Sequence, residues 1–192
     1  MTAIDLSPWV VTGTRQVFDA APWFKVEQDQ IQMPRGRTVD DYYQIKLADY
    51  VTIFAETEDH RIIVERQYKH GPRKVTLTLP AGQVESNEPP LRAAQRELLE
   101  ETGYVSDLWR PLGSFVLHGN YGCGRAHMFR ASKARQVAEP DSGDLEDMEI
   151  VLMPLADLID SVRTSEVCLM GTMATIALAT HPLIQRDGEM AR

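Results

Sequence analysis

The chain is predicted to fold as a single α+β unit, with a strand-rich first half, one strongly marked helix, and then further strands closed by two helices. Three observations predict it. Short β-branched and aromatic runs with turn residues between them recur from Trp9 to Pro80. The segment "SNEPPLRAAQRELLEETG" switches abruptly to helical spacing and ends on Gly103. No internal repeat, low-complexity tract or long linker divides the 192 residues, a length that supports one full core with a small accessory sheet.

In chain order, "WVVTGTRQVF", "WFKVEQDQIQM" and "TVDDYYQIKL" read as three strands, with "PRGR" (Pro34 to Arg37) turning between the last two. They form an N-terminal antiparallel β-sheet region, 1–48, ahead of a main domain, 49–192. "YVTIFAE", "RIIVERQY" and "KVTLTLP" supply three more strands, the first two separated by the polar "TEDH". The helix follows, with Ser86 and Asn87 as candidate caps, Pro89 and Pro90 near its start and Gly103 as its C-cap. Leu91, Ala94 and Leu98 recur at helical spacing and are expected to face a core. "LGSFVL" and "RAHMFRA" read as strands, Ala138 to Asp147 as a long acidic loop, and "MEIVLMP" as a last strand. The helices "LADLIDSVR" and "EVCLMGTMATIALATH" precede a polar tail from Gln185 that is expected to be loose.

Composition excludes several classes. With 43% hydrophobic and 25% charged residues the chain is neither disordered nor collagen-like. A formal charge of -8 and the lack of a long basic run argue against nucleic acid as a partner. Met1 to Val11 has no basic start followed by an apolar stretch, and no apolar run reaches about 18 residues, so neither a secretory signal nor a membrane span is expected. Cys123 and Cys168, 45 positions apart, read as small packing residues in a reducing, cytoplasmic compartment.

The unusual feature is the charge in "RELLEETG". Glu97, Glu100 and Glu101 lie three and four apart, so they line one side of the helix. Like charges at that spacing repel, and acids in the last turn also oppose the helix macrodipole. A solvated acidic face is the plain reading. Arg96 offsets the charge only in part, whereas a divalent metal would offset it fully: Mg²⁺ takes hard oxygen ligands, usually one or two carboxylates with water and substrate phosphate.

Extended outward, the pattern is Gly82, five residues, Glu88, seven residues, then Arg96-Glu97-Leu98-Leu99-Glu100-Glu101-Thr102-Gly103-Tyr104. It resembles the Nudix box, G-x5-E-x7-R-E-U-x-E-E-x-G-U with U aliphatic, across its whole length; only Tyr104 departs, at the final U. The resemblance implies a Nudix α/β/α sandwich, here with an extra N-terminal antiparallel sheet, and a Nudix hydrolase that uses Mg²⁺ or Mn²⁺. It implies Glu97, Glu100, Glu101 and the Ala81 carbonyl as metal ligands, Arg96 as their orienting partner, and Gly82 and Gly103 for the loop and the helix exit. Glu88, near the helix start, reads as structural.

Beyond the box, the first 48 residues resemble the extra sheet of ADP-ribose pyrophosphatases, which commonly form homodimers by exchanging it. "VERQYKH" resembles the strand in which that branch places a basic residue on substrate phosphate. Arg66 and Lys69 are the candidates, and strand alternation allows only one of them to reach. The branch also implies an acid in the long loop as catalytic base or extra metal ligand: Glu146 first, Asp144 second, Glu149 third. Glu146, Glu100 and Arg96 are thus the catalytic candidates, and Arg66, Lys69, Tyr121 and Trp23 the substrate-binding ones. Phe24, Tyr42 and Tyr43 are further aromatics available to a base, though strand aromatics are more often core. His118 and His127 read as structural or merely polar.

The expected reaction is hydrolysis of ADP-ribose or a related nucleoside diphosphate sugar to a nucleoside monophosphate and a sugar phosphate. One departure keeps the sugar open: no proline occurs from Leu112 to Glu139, where the branch usually has one, and "LHGNYGCGRAH" stands there instead. Tyr121 falls near a tyrosine of dinucleoside polyphosphate hydrolases, which makes that activity the alternative. A noncatalytic nucleotide-sugar sensor is a third reading, disfavoured by the intact box.

Overall fold

A computed structural model describes residues 6–143 and 147–182. Its contacts group into two compact units, the first up to Asp49 with Phe115–Arg125, the second Tyr50–Ser114 with Ala126 onward.

In the first unit β1 (Val10–Ala20), β2 (Phe24–Gln32) and β3 (Thr38–Leu47) form an antiparallel meander, with Val11 opposite Ile31 and Phe24 opposite Leu47. The expected "PRGR" turn is a short 3-10 turn, Pro34–Gly36. Gly122 pairs with Ile45 in parallel. Only Asp29 and Ile31 are buried on these three strands, and the Thr14 hydroxyl donates to Asp29 at 2.6 Å. The aromatic residues are not core here: Trp9, Phe18, Trp23, Phe24 and Tyr43 are all exposed.

The second unit is built on β4 (Tyr50–Thr57) and β5 (Arg61–Lys69), whose near-continuous buried apolar runs mark strands covered on both faces. β4 pairs in parallel with β10 (Gly122–Gln136) from Ala126 onward, and antiparallel with β7 (Ala81–Gln83). β5 carries β6 (Lys74–Thr78) on one side and β11 (Met148–Pro154) on the other. β8 (Tyr104–Val105) and β9 (Leu108–His118) pair with β10. Alternate residues of β4 and β5 enter different cores. Val51, Ile53 and Ile63 pack with Ala93, Ala94 and Leu98 of α1 (Pro90–Thr102). Phe54, Ile62 and Val64 pack with Leu158 of α2 (Leu155–Arg163) and Ile176 of α3 (Met170–Thr180). Helix, strands and helices are therefore layered as expected of the α+β sandwich.

Three details differ from the sequence reading. α1 starts at Pro90 with Pro89 as N-cap, not at Ser86 or Asn87, since Asn87 has φ 65° and belongs to the preceding turn. Leu91 is 39% exposed, and Ala93 takes its place in the core. The last helix begins at Met170 rather than Glu166, because the Glu166 carbonyl accepts from Leu77 N–H at 3.0 Å and from the Thr76 hydroxyl at 2.7 Å, a sheet-like contact that a helix would break. No helix among the described residues is long and apolar enough to cross a membrane. Cys123 and Cys168 are both free thiols. The polar tail from Gln185 lies outside the described residues.

Candidate active site

The carboxylates are presented by α1, whose Leu98 and Ala94 anchor it on β4 while its opposite side carries the charge. Arg96 is the hub. Its Nε and Nη2 donate to Glu88 at 3.1 and 2.9 Å, its Nη1 to Glu97 at 2.7 Å and to Glu100 at 3.1 Å, and Nη2 also to the Gln83 carbonyl at 3.0 Å. The guanidinium keeps the Glu88 carboxyl below the usual carboxylate range, and its own pKa is raised by Glu88 first and by the two other acids. Glu88 also accepts from Glu85 N–H at 3.1 Å, so it pins the loop entering α1 and has a structural role.

Gly82 and Gly103 fit their box positions for different reasons. A Cβ on Gly82 would lie 2.0 Å from the Glu97 carboxyl carbon, so the missing side chain makes room for that acid. Gly103 has φ 74°, the left-handed C-cap conformation, and donates to the Leu99 carbonyl at 2.8 Å. Its own carbonyl accepts from Val137 and Ala138, and Asp141 N–H reaches the Glu100 carbonyl at 2.7 Å. The end of α1 thereby fixes the start of the acidic loop.

Glu101 faces inward, 5% exposed, and accepts from Ala81 N–H at 2.8 Å. Against it lies a residue that the sequence reading missed, Glu65 of β5, 1% exposed, whose charge bears on Glu101. Gln67 and Thr78 hold the Glu65 carboxyl at 2.9 and 3.1 Å. Burial, then Glu65, then Glu97 push the Glu101 carboxyl far above the ordinary range. Nothing in "RIIVERQY" marked Glu65, because a charge inside an apolar strand ordinarily points to solvent.

Among the described residues no three acidic, histidine or cysteine side chains converge as a metal-ligand group; Arg96 holds Glu97 and Glu100, while Glu101 turns to Glu65. The donor set nonetheless suits a hard divalent cation. Four carboxylates lie on or against one helix, and two of them are buried together, an arrangement that requires a proton or a cation.

The other candidates separate clearly. Lys69 lines a cavity with Glu65 and Ala81, whereas Arg66, on the alternate face of β5, is in an exposed ion pair with Glu149 at 3.0 Å. Glu146 and Asp144 lie outside the described residues. Tyr121, 46% exposed, stacks on His118 with ring centroids 4.7 Å apart, and His118 Nδ1 accepts from the Asn120 and Tyr121 amides at 3.3 and 3.2 Å, so this histidine builds its turn. His127 sits in β10 opposite Val51. Trp23 is 68% exposed at the β1–β2 turn.

Comparison with known proteins adds an independent observation. The family described as NUDIX domain matches residues 46–168, and the one described as nucleoside diphosphate sugar hydrolase N-terminal domain matches residues 9–45. A methanol dehydrogenase activator of Bacillus methanolicus is 29% identical, the match covering 70% of this chain and 74% of that protein. An ADP-ribose pyrophosphatase of Mycobacterium tuberculosis is 28% identical over 82% of this chain and 78% of its own. A crystal structure described as an ADP compounds hydrolase superposes with TM-score 0.78, covering 92% of this chain and 95% of that one, at 20% identity, a likeness of fold.

Proposed function

Because the chain belongs to the NUDIX domain family, we propose that it is a metal-dependent pyrophosphatase that hydrolyses ADP-ribose or a related nucleoside diphosphate sugar to a nucleoside monophosphate and a sugar phosphate. The observation that carries the reading is the α1 carboxylate array, complete to its Arg96 hub and its Gly82 clearance. The match of residues 9–45 to an N-terminal domain described for nucleoside diphosphate sugar hydrolases, and relatives described as ADP-ribose pyrophosphatases, support the substrate class.

A divalent cation, Mg²⁺ or Mn²⁺, would be held by Glu97, Glu100, Glu101 and the Ala81 carbonyl, and would neutralise diphosphate charge and acidify a bound water. Arg96 orients Glu97 and Glu100 by donating to both from one nitrogen. Lys69 offers its ammonium to a substrate phosphate, and Glu146 is the proposed proton acceptor. Trp23 and Tyr121 present exposed rings suited to stacking on a base. We further infer a cytoplasmic homodimer organised as a sheet region, 1–48, and a hydrolase domain, 49–192; the exposed aromatic residues of β1 and β2 support the dimer.

The test is a panel of ADP-ribose, GDP-mannose and diadenosine polyphosphates with Mg²⁺ and with Mn²⁺, with products identified. Release of AMP and ribose 5-phosphate as the fastest reaction is expected. No turnover of any of them overturns the proposal, and a preference for diadenosine polyphosphates selects the alternative that Tyr121 raised. Glu101→Gln should lower kcat by more than the ~100-fold typical of losing a supporting group around a metal; near wild-type turnover at saturating Mg²⁺ removes Glu101 from the ligand set.

A further inference from the structure

Positive charge is unevenly placed along this acidic chain. Acids outnumber Lys and Arg 28 to 20, yet no Asp or Glu stands between Glu65 and Glu85, and Arg66, Lys69, Arg73 and Lys74 open that interval. In the structure these residues belong to the β5–β6 hairpin, whose turn runs through Gly71 and Pro72. His70, Arg73 and Lys74 are exposed on it. β6 pairs with β5 and with no other strand, so the hairpin is an edge of its sheet.

Two features of the hairpin oppose folding rather than assist it. Lys69 and Lys74 are directly opposite in register, where side chains stand about 5 Å apart and like charges repel. Arg73 has φ 55°, a left-handed conformation that glycine or asparagine adopts at lower cost. Nor is the charge neutralised nearby. Arg66 is in an ion pair with Glu149, and Lys74 Nζ donates to the Ser165 carbonyl at 2.7 Å. Among the described residues no carboxylate pairs with Lys69, Arg73 or Lys74.

Protection of an exposed sheet edge is one use for such charge, and there either sign serves. The position of the hairpin gives the positive sign a use of its own. Lys69 lines a cavity with Glu65 and Ala81, and the Ala81 amide donates to Glu101, so the hairpin stands at the approach to the α1 carboxylates. A net charge of -8 and the box acids themselves repel a diphosphate, which slows encounter unless a local positive field offsets them. We infer that the β5–β6 hairpin is a basic collar that steers the anionic diphosphate substrate to the site, with Arg73 and Lys74 acting on the encounter and not on the chemistry. The inference rests on the proposed pyrophosphatase reaction for the identity of the anion, and on the hairpin for where it is met.

The experiment is stopped-flow association of mant-ADP, a fluorescent nucleoside diphosphate, with the full chain in Mg²⁺. It is run at about 10 mM and at about 1 M salt, where the Debye length is about 30 Å and about 3 Å. Arg73→Glu with Lys74→Glu keeps the edge charged but reverses its sign. Arg61→Glu with Arg135→Glu changes the net charge equally at exposed positions off the hairpin. The hairpin variant is expected to associate about tenfold more slowly than wild type at low salt and at the wild-type rate at high salt, its dissociation rate unchanged. The control pair is expected within about twofold of wild type at both. Arg73→Gln alone, at an exposed turn, should slow low-salt association by about threefold, and it decides the matter if the double substitution unfolds the chain. Low-salt rates equal to wild type, a deficit that persists at high salt in both hairpin variants, an equal deficit in the control, or no association with wild type overturns the collar. Hairpin-dependent association without turnover of any nucleoside diphosphate sugar refutes the reaction and leaves the collar. Turnover of ADP-ribose with association indifferent to the hairpin does the reverse.

Discussion

At the scale of single residues the decisive contact is Glu65 against Glu101, two carboxyl groups buried 1% and 5% exposed. In protein stripped of cation, burial and then the charges of Glu65 and Glu97 raise the Glu101 pKa above its ordinary 4.5. A folded-state pKa raised above the unfolded value contributes stability that is complete below the unfolded value and is lost as pH climbs toward the folded one. Chelator-treated protein should therefore melt at a lower temperature at about pH 8 than at about pH 6, and Glu101→Gln should flatten that slope. Thermal melts of both proteins across that interval provide the check, and equal slopes would clear Glu101 of the effect. The box acids were legible in the sequence because three of them repeat at helical spacing beside an arginine. Glu65 was not, since its meaning comes from a helix 36 positions away, which no local pattern encodes.

At the scale of elements, the exit of α1 was legible to the residue because Gly103 closes its helical spacing, whereas its start lies two to three residues after the expected caps. The start of α3 was not legible either. "EVCLMGT" has helical propensity, but the Glu166 carbonyl is claimed by Leu77 and Thr76 of the sheet, so tertiary hydrogen bonds override propensity and leave an uncapped helix end at Met170. The exit of α1 offers the sharper test. Gly103 has φ 74°, and a Cβ there would lie 2.0 Å from the Ala138 carbonyl oxygen, a backbone atom. Gly36 has φ 80° with nothing within 4 Å of the same atom. Gly103→Ala is expected to cost well above the ~1 kcal/mol of conformational strain alone, whereas Gly36→Ala costs about that amount. Urea denaturation of the two variants measures the difference; equal losses would mean that the Val137 to Asp141 segment yields without penalty.

At the scale of the whole molecule, the charge of -8 and the ordinary apolar content gave the class but not the assembly. The N-terminal strands read as an antiparallel sheet whose aromatics would more often be core, and in the structure those aromatics are exposed, with Trp9 packed edge-on to Tyr42 at 5.8 Å and Phe18 beside Phe24 at 5.6 Å. Trp9, Val10, Phe18 and Trp23 are 48%, 56%, 52% and 68% exposed, a density of apolar surface that a monomer in water does not ordinarily carry. A second copy of the chain is the proposed cover, because a two-fold axis lets the same strands satisfy each other. Light scattering coupled to size exclusion should give twice the 21.7 kDa chain mass at micromolar concentration. Replacing Val10 and Phe18 together by Glu should return a folded monomer, since neither side chain is buried within its own chain and two like charges would meet their counterparts across the axis. A wild-type monomer, or a doubly substituted protein that remains dimeric, would place the interface elsewhere and leave the exposed aromatic strands without the role given to them.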